Sequence, residues 1–293
     1  MENNIQATLQ TVASANTVSD SSIGRLLLQL GKITLADSEK ILNAQQKHGL
    51  RFGDAALKLG LIKESDIRQV LALQFNYPYL QAGQGKYSDE LIAAYQPFSK
   101  QVEALRALRS QLMLRWFSEG FKSLAIVSAN AGEGGSYLAA NLAIVFSQLG
   151  ERTLLVDANL REPRQHKIFN LKENRGLSDI IAGRAGLDVI TQVDSFVDLS
   201  VLGAGTVPPN PQELLSRTSF IEFMNQAIGL YDVVLLDTTP ATITADAQAT
   251  VARCGGALLV SRLNHTRLVD LTEVRDQIAV TGARVVGVVI NDF

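Results

Sequence analysis

The 293-residue chain has a single cysteine, Cys254, so no intramolecular disulfide staples it. Its three histidines, His48, His166 and His265, have no ligand or triad spacing and read as packing or surface residues. No apolar run approaches the roughly 20 residues that a membrane helix needs. The polar start, MENNIQATLQTVASANTVSDSS, is neither basic nor apolar enough for a secretory signal. Charge of one sign is also missing: 27 Lys plus Arg nearly balance 29 Asp plus Glu, which argues against nucleic acid as the main partner. These absences predict a protein of the reducing cytoplasm that meets a membrane only through a partner. What is plentiful is apolar: 46% hydrophobic residues supply a sizeable core, and the length suits one large domain plus a small one.

Residues 1–20 are rich in Asn, Thr, Ser and Gln and predict a flexible tail. An internal repeat follows, with a period of 29 residues. Ser22, Gly24, Leu42 and Gln45 recur as Arg51, Gly53, Leu71 and Gln74, and the turn Leu30-Gly31-Lys32-Ile33 recurs as Leu59-Gly60-Leu61-Ile62. After each turn an aspartate, Asp37 or Asp66, precedes a stretch of helical spacing. Residues 21–82 therefore predict a small, mostly helical domain of two similar halves, with a linker over 83–100. From 101 to 293 apolar strands alternate with longer helical stretches. Strands are expected at 123–128, 153–157, 199–202, 232–237, 256–261 and 285–290, and helices at 101–116, 137–149, 211–227 and 266–280. The expected fold is α/β: a P-loop parallel sheet with helices on both faces, preceded by the helical domain.

The chemistry is concentrated in Ser128-Ala129-Asn130-Ala131-Gly132-Glu133-Gly134-Gly135-Ser136-Tyr137, between a strand and a helix. Glycines there let successive backbone N–H groups converge on phosphate at the helix start. Gly132, Glu133, Gly134, Gly135, Ser136 and Tyr137 are the candidate nucleotide-binding residues. A standard phosphate-binding loop ends Gly-Lys-Ser/Thr, its lysine on the β/γ-phosphates and its hydroxyl on Mg²⁺. Here Ser136 is kept and Gly135 stands in the lysine's place. Asp157 and Asp237 each close an apolar strand, and parallel strands bring such ends to the loop's edge. There they are candidates to hold Mg²⁺ with Ser136, or to accept a proton from an attacking hydroxyl.

In this order, three motifs resemble those of bacterial tyrosine kinases: the loop, then Leu155-Val156-Asp157-Ala158-Asn159-Leu160-Arg161-Glu162-Pro163, then Leu235-Leu236-Asp237-Thr238-Thr239-Pro240. Gly176-Leu177-Ser178-Asp179, the run from Pro208 to Leu215, and Gly287-Val288-Val289-Ile290-Asn291 extend the likeness over roughly residues 100–293. The chain is most similar to the exopolysaccharide chain-length-determinant type. That resemblance implies ATP or ADP with Mg²⁺ as cofactors, and a membrane polysaccharide copolymerase as partner. It also implies a homo-oligomer, with Glu103, Arg106 and Arg109 matching the family's Glu-x-x-Arg-x-x-Arg oligomerisation helix.

The departures matter as much. Related deviant loops carry an additional lysine near the loop's start, where this chain has Asn130, and Asn159 replaces the second carboxylate of an Asp-x-Asp pair. All six tyrosines precede the last fifty residues, so the family's C-terminal tyrosine cluster is absent. Impaired catalysis is the expectation. The competing reading is a working kinase or ATPase in which Arg161 or Arg164 supplies the missing cation.

The repeated domain resembles the N-terminal domain of type II secretion ATPases, some of which bind cyclic di-GMP through two tandem motifs. The matching residues are Gly24 and Gln45 in the first copy and Arg51, Gly53 and Gln74 in the second. Ser22 replaces the first motif's arginine, which would stack on guanine and fork onto phosphate, and Ser38 replaces an apolar residue. The domain is expected to be structural or a docking module, with cyclic di-GMP reception as the alternative.

Overall fold

The computed structural model describes residues 22–74, 79–80 and 86–293; the expected tail lies outside them. The chain divides into two compact units, with the boundary between Pro78 and Tyr79.

The first unit is built from α1 (Ser22–Gln29), α2 (Leu35–His48), α3 (Phe52–Lys58) and α4 (Glu64–Gln74). The repeat is visible in its core. Leu27, Ile33 and Ile41 are buried with Ala56, Ile62 and Val70, which stand 29 residues later. Thr34 caps α2 by accepting from the Asp37 N–H, while the Asp37 carboxylate accepts from the Thr34 N–H (both 3.2 Å). In the second copy Asp66 likewise accepts from the Lys63 N–H at 2.9 Å, and it pairs with Lys32 of the first copy at 2.9 Å.

The second unit opens with α5 (Ile92–Tyr95) and α6 (Lys100–Arg115), then builds a seven-stranded sheet. The strands are β1 (Ser123–Ser128), β2 (Thr153–Asp157), β3 (Thr191–Gln192), β4 (Leu199–Leu202), β5 (Val233–Asp237), β6 (Gly256–Arg262) and β7 (Arg284–Asn291). Among them run α7 (Gly135–Ser147), α8 (Gln165–Ile168), α9 (Leu177–Ile181), α10 (Pro211–Leu215), α11 (Thr218–Leu230), α12 (Asp246–Cys254) and α13 (Leu268–Val280). The sheet order is β3-β4-β2-β5-β1-β6-β7, parallel throughout except for the short edge pair β3 and β4. Every residue of β1, β2 and β5 is buried, as expected for a sheet covered on both faces. Ala125 and Val127 join a cluster with Phe223 of α11, Val251 of α12 and Val274 of α13. Their neighbours Leu124 and Ile126 join the opposite cluster, with Leu112 of α6 and Phe146 of α7. Each such apolar side chain contributes about 1.5–3 kcal/mol on burial.

The expected linker requires correction. Residues 86–100 belong to the second unit: Leu91, Ala93 and Ala94 are fully buried, and the Ala93 N–H donates to Asn141 Oδ1 of α7 at 2.9 Å. The polar run around Gly83 and Gly85 masked a short apolar segment that covers the P-loop helix. The helix expected over 211–227 is two helices, α10 and α11, broken at Ser216 and Arg217. Among the described residues no helix is long and apolar enough to cross a membrane.

Candidate functional site

β1 runs directly into the glycine-rich loop, and α7 starts at Gly135 with Gly134 as its cap. Gly134 has φ +86°, and a Cβ there would lie 2.7 Å from Asn291 Nδ2, so both conformation and space demand glycine. Gly135 differs: its backbone is helical, and an added Cβ would meet only the Ser128 hydroxyl at 3.3 Å and its Cβ at 3.6 Å. Nothing in the fold therefore requires glycine where the lysine would stand.

Glu133 turns inward. Its fully buried carboxylate accepts from the Asn130 N–H (3.0 Å), Asn130 Nδ2 (3.2 Å) and the Thr266 hydroxyl (2.6 Å). The side chain braces the loop rather than facing a ligand, which leaves only its backbone N–H for phosphate. Asn130, where related deviant loops would carry an additional lysine, is also held by Asp270 Oδ2 (3.1 Å) and the Thr242 hydroxyl (3.0 Å).

Parallel pairing of β2 with β5 puts Asp157 directly beside Asp237. Asp157 accepts from three backbone N–H groups, of Asn159 (3.2 Å), Arg164 (2.9 Å) and Gln165 (2.9 Å). Burial, and next the neighbouring Asp237 charge, still hold its carboxyl well above the usual carboxylate range. Asp237 is pushed up to about 6 by burial, against hydrogen bonds from Gln165 and the Ser136 hydroxyl. Two buried carboxylates with a serine hydroxyl match what Mg²⁺ takes from protein in phosphate sites: one or two carboxylates, with waters and phosphate completing the shell. Among the described residues no cluster of three or more His, Cys, Asp or Glu forms a dedicated metal cage. The donor set fits Mg²⁺ carried by a nucleotide.

Sequence reasoning missed Gln165. It is fully buried at the start of α8, and its Nε2 donates to Asp237 Oδ2 (2.8 Å) and to the Ser136 carbonyl (3.1 Å). Its place eight residues beyond Asp157 was the only signal, and no motif marks it. Tyr137 is half-buried; burial, then the nearby Glu90, raise its phenol above the ordinary value. With Leu105, Leu108, Ile290, Asn291 and Phe293 it lines a cavity of about 690 Å³ that opens beside Gly132 and Gly134. That volume lies in the range of small-molecule sites.

Of the two candidate replacement cations, Arg161 is committed elsewhere, whereas Arg164 lines the cavity beside Tyr137 together with its partner Glu90. Arg161 forks onto the buried Asp246 (2.6 and 3.2 Å), and Arg164 donates to both oxygens of Glu90 (2.9 and 3.1 Å). The Asn159 side chain accepts through Oδ1 from the Arg161 N–H (3.3 Å), the Glu162 N–H (3.0 Å) and the Thr239 hydroxyl (3.2 Å).

Against family models the chain has no match. Among individual proteins it is 34% identical over 201 residues to tyrosine-protein kinase YwqD of Bacillus subtilis (strain 168), covering 69% of this chain and 85% of that one. The chain belongs to the bacterial tyrosine-protein kinase family. The kinase domain of Escherichia coli tyrosine kinase ETK superposes with a TM-score of 0.66 at 30% identity, over 69% of this chain and 79% of that one. The septum site-determining protein MinD from Pyrococcus horikoshii, solved with Mg-ADP, gives a TM-score of 0.51 at 25% identity, over 58% and 70%. The fold is thus that of the P-loop nucleotide-binding proteins.

In this kinase-family domain the Glu103-x-x-Arg106-x-x-Arg109 stretch is partly turned inward. Arg106 bonds Glu103 on its own helix and the Pro97 carbonyl (2.6 Å). Arg109 donates to the Val145 carbonyl (2.6 Å), capping the C-terminal turn of α7. Glu103 remains exposed. In the helical unit Gly24 and Gly53 are buried, Gln45 is half-buried and Arg51 is exposed. A Cβ at Gly53 would sit 3.1 Å from Ile67 Cδ1, so close helix packing alone explains that glycine. The side chains of Gln74 and Ser22 lie outside the described residues.

Proposed function

We propose that this chain is a nucleotide-binding, tyrosine-kinase-like protein of capsule or exopolysaccharide export, impaired in phosphoryl transfer, that regulates a membrane chain-length copolymerase from the cytoplasm. The observation that carries the reading is the contrast at one loop. Ser136, Asp157 and Asp237 are assembled as a Mg²⁺-nucleotide site requires, while Gly135 leaves the loop's lysine position without a charge. Bound through those three residues, Mg²⁺ would neutralise charge on the phosphate oxygens. The loop's N–H groups would cradle the phosphates and the cavity beside Tyr137 would take the rest of the nucleotide. Arg161, held by the buried Asp246, is a poor substitute for the lysine; Arg164, paired with Glu90 in the lining of the cavity, is the cation that the competing kinase reading would use. The polysaccharide role and the copolymerase rest on the motif resemblance.

The test measures ADP binding by calorimetry and phosphate release from ATP on one purified sample. Binding with hydrolysis at background is expected. Robust turnover that disappears in Asp157→Ala would replace this reading with that of an active kinase or ATPase, which the family membership favours. The helical unit serves in this reading as a docking module like the N-terminal domain of type II secretion ATPases. Its weak or absent affinity for cyclic di-GMP should rise in Ser22→Arg; tight binding by the unmodified chain, abolished by Arg51→Ala, would make it a receptor.

A further inference from the structure

Gln165 touches both carboxylates that a cation at this site would use, and the backbone of the serine whose hydroxyl would join them. Its backbone N–H holds Asp157 at 2.9 Å, while its side-chain nitrogen reaches Asp237 at 2.8 Å and the carbonyl of Ser136 at 3.1 Å. The orientation of the amide follows from its partners. A carboxylate oxygen and a backbone carbonyl only accept, so the nitrogen must face them and the oxygen must face away. That oxygen, Oε1, is buried and has no hydrogen-bond partner among the described residues. A glutamine with no exposed surface and half its amide unsatisfied calls for a donor. The groups around it narrow the choice. Two neighbouring carboxylates with a serine hydroxyl attract a divalent cation, and Mg²⁺ keeps several of its waters, each a strong donor.

We propose that Gln165 is a positioning residue for the divalent cation of the nucleotide site. Its nitrogen fixes Asp237 against the first turn of α7, and its carbonyl oxygen accepts a hydrogen bond from a water that the cation carries. The inference rests on the nucleotide-binding reading and adds to it a residue that neither the loop motif nor the strand-end aspartates disclose. It also gives a reason for the position of α8. That short helix and its cap residue Arg164 each deliver one N–H group to Asp157, and the helix sends one amide side chain across to β5.

The experiment uses the full chain and titrates ADP by calorimetry with and without Mg²⁺. The variants are Gln165→Met, which keeps the volume but has no amide, and Gln165→Glu, which keeps an acceptor oxygen. Loss of such an outer partner typically lowers metal affinity roughly ten- to hundredfold. Gln165→Met should therefore lose most of the Mg²⁺-dependent gain in ADP affinity while binding metal-free ADP nearly as the unmodified chain does. Gln165→Glu should exceed that gain, because a third carboxylate next to Asp237 is relieved by a cation. An ordinary buried water on Oε1 would predict no change in the Mg²⁺ gain for either variant, and that result overturns the inference. If Gln165→Met fails to fold, as judged by circular dichroism, Gln165→Glu decides alone: a Mg²⁺ gain no larger than that of the unmodified chain overturns it. ADP binding that is indifferent to Mg²⁺ in the unmodified chain would sink this inference and leave the nucleotide site standing. No ADP binding under either condition would sink both.

Discussion

Gly135→Lys separates catalysis from stability with unusual clarity. The site is the first residue of α7, its backbone is already helical, and an added Cβ meets only the Ser128 hydroxyl at 3.3 Å. A hydroxyl can rotate by the few tenths of an ångström required. Replacing glycine where the backbone suits a side chain stabilises by about 0.4–1 kcal/mol through the unfolded chain. A positive charge at a helix N-terminus costs about 0.3–1 kcal/mol. The two nearly cancel, so the melting temperature should stay within a few degrees. For the rate, a single preorganised donor to transition-state charge is worth about 2.7–4 kcal/mol, or roughly a hundred- to thousandfold. A lysine over the phosphates should contribute at least as much. The assay is phosphate release from Mg-ATP, with Gly135→Ala controlling for the backbone and Gly135→Lys/Asp157→Ala for the site. Hydrolysis should rise roughly a hundredfold in Gly135→Lys, stay at background in Gly135→Ala, and fall back when Asp157 is removed. A folded Gly135→Lys that binds Mg-ATP yet hydrolyses no faster than the unmodified chain would refute the argument that the missing lysine is what limits this site.

Asp237→Asn should raise the melting temperature at neutral pH in metal-free buffer. The folded-state carboxyl is raised to about 6, so its stabilising contribution is complete below the unfolded value near 4 and is lost as pH rises through 6. The gain from Asn should therefore shrink toward pH 4, and a gain independent of pH would contradict the assignment. Ser38 is buried with its hydroxyl unpartnered among the described residues, at the repeat position where the second copy has Ile67. Ser38→Ala should slow hydrogen exchange at Ile41 and Val70 by the equivalent of about 1 kcal/mol; faster exchange would show that the hydroxyl is satisfied. Gly134→Ala should cost about 1–3 kcal/mol and abolish ADP binding, because φ +86° and the contact with Asn291 both oppose a Cβ. If Glu103 and Arg106 also serve an intersubunit contact, light scattering should show self-association that weakens with salt and in Glu103→Ala/Arg106→Ala. A monomer at every salt concentration would confine the pair to its own helix.

The sequence determined everything that has a short-range signature. The 29-residue repeat was legible because each copy must bury the same apolar positions, and the structure packs Leu27, Ile33 and Ile41 with Ala56, Ile62 and Val70 accordingly. The buried strands β1, β2 and β5 were legible as apolar runs, and Asp157 and Asp237 were legible because a carboxylate ends each of the last two. The loop was legible from its glycines, two of which take positive φ. Tertiary structure decided what depends on neighbours distant in the chain. Glu133 reads as a ligand until Thr266, more than a hundred residues away, turns its carboxylate inward. Arg161 and Arg164 read as free cations until Asp246 and Glu90 arrive beside them. Gln165 carried no pattern at all. Only the parallel pairing of β2 with β5 brings its amide to Asp237, and only burial makes its unpaired oxygen significant, because in water that oxygen would have found a donor anywhere.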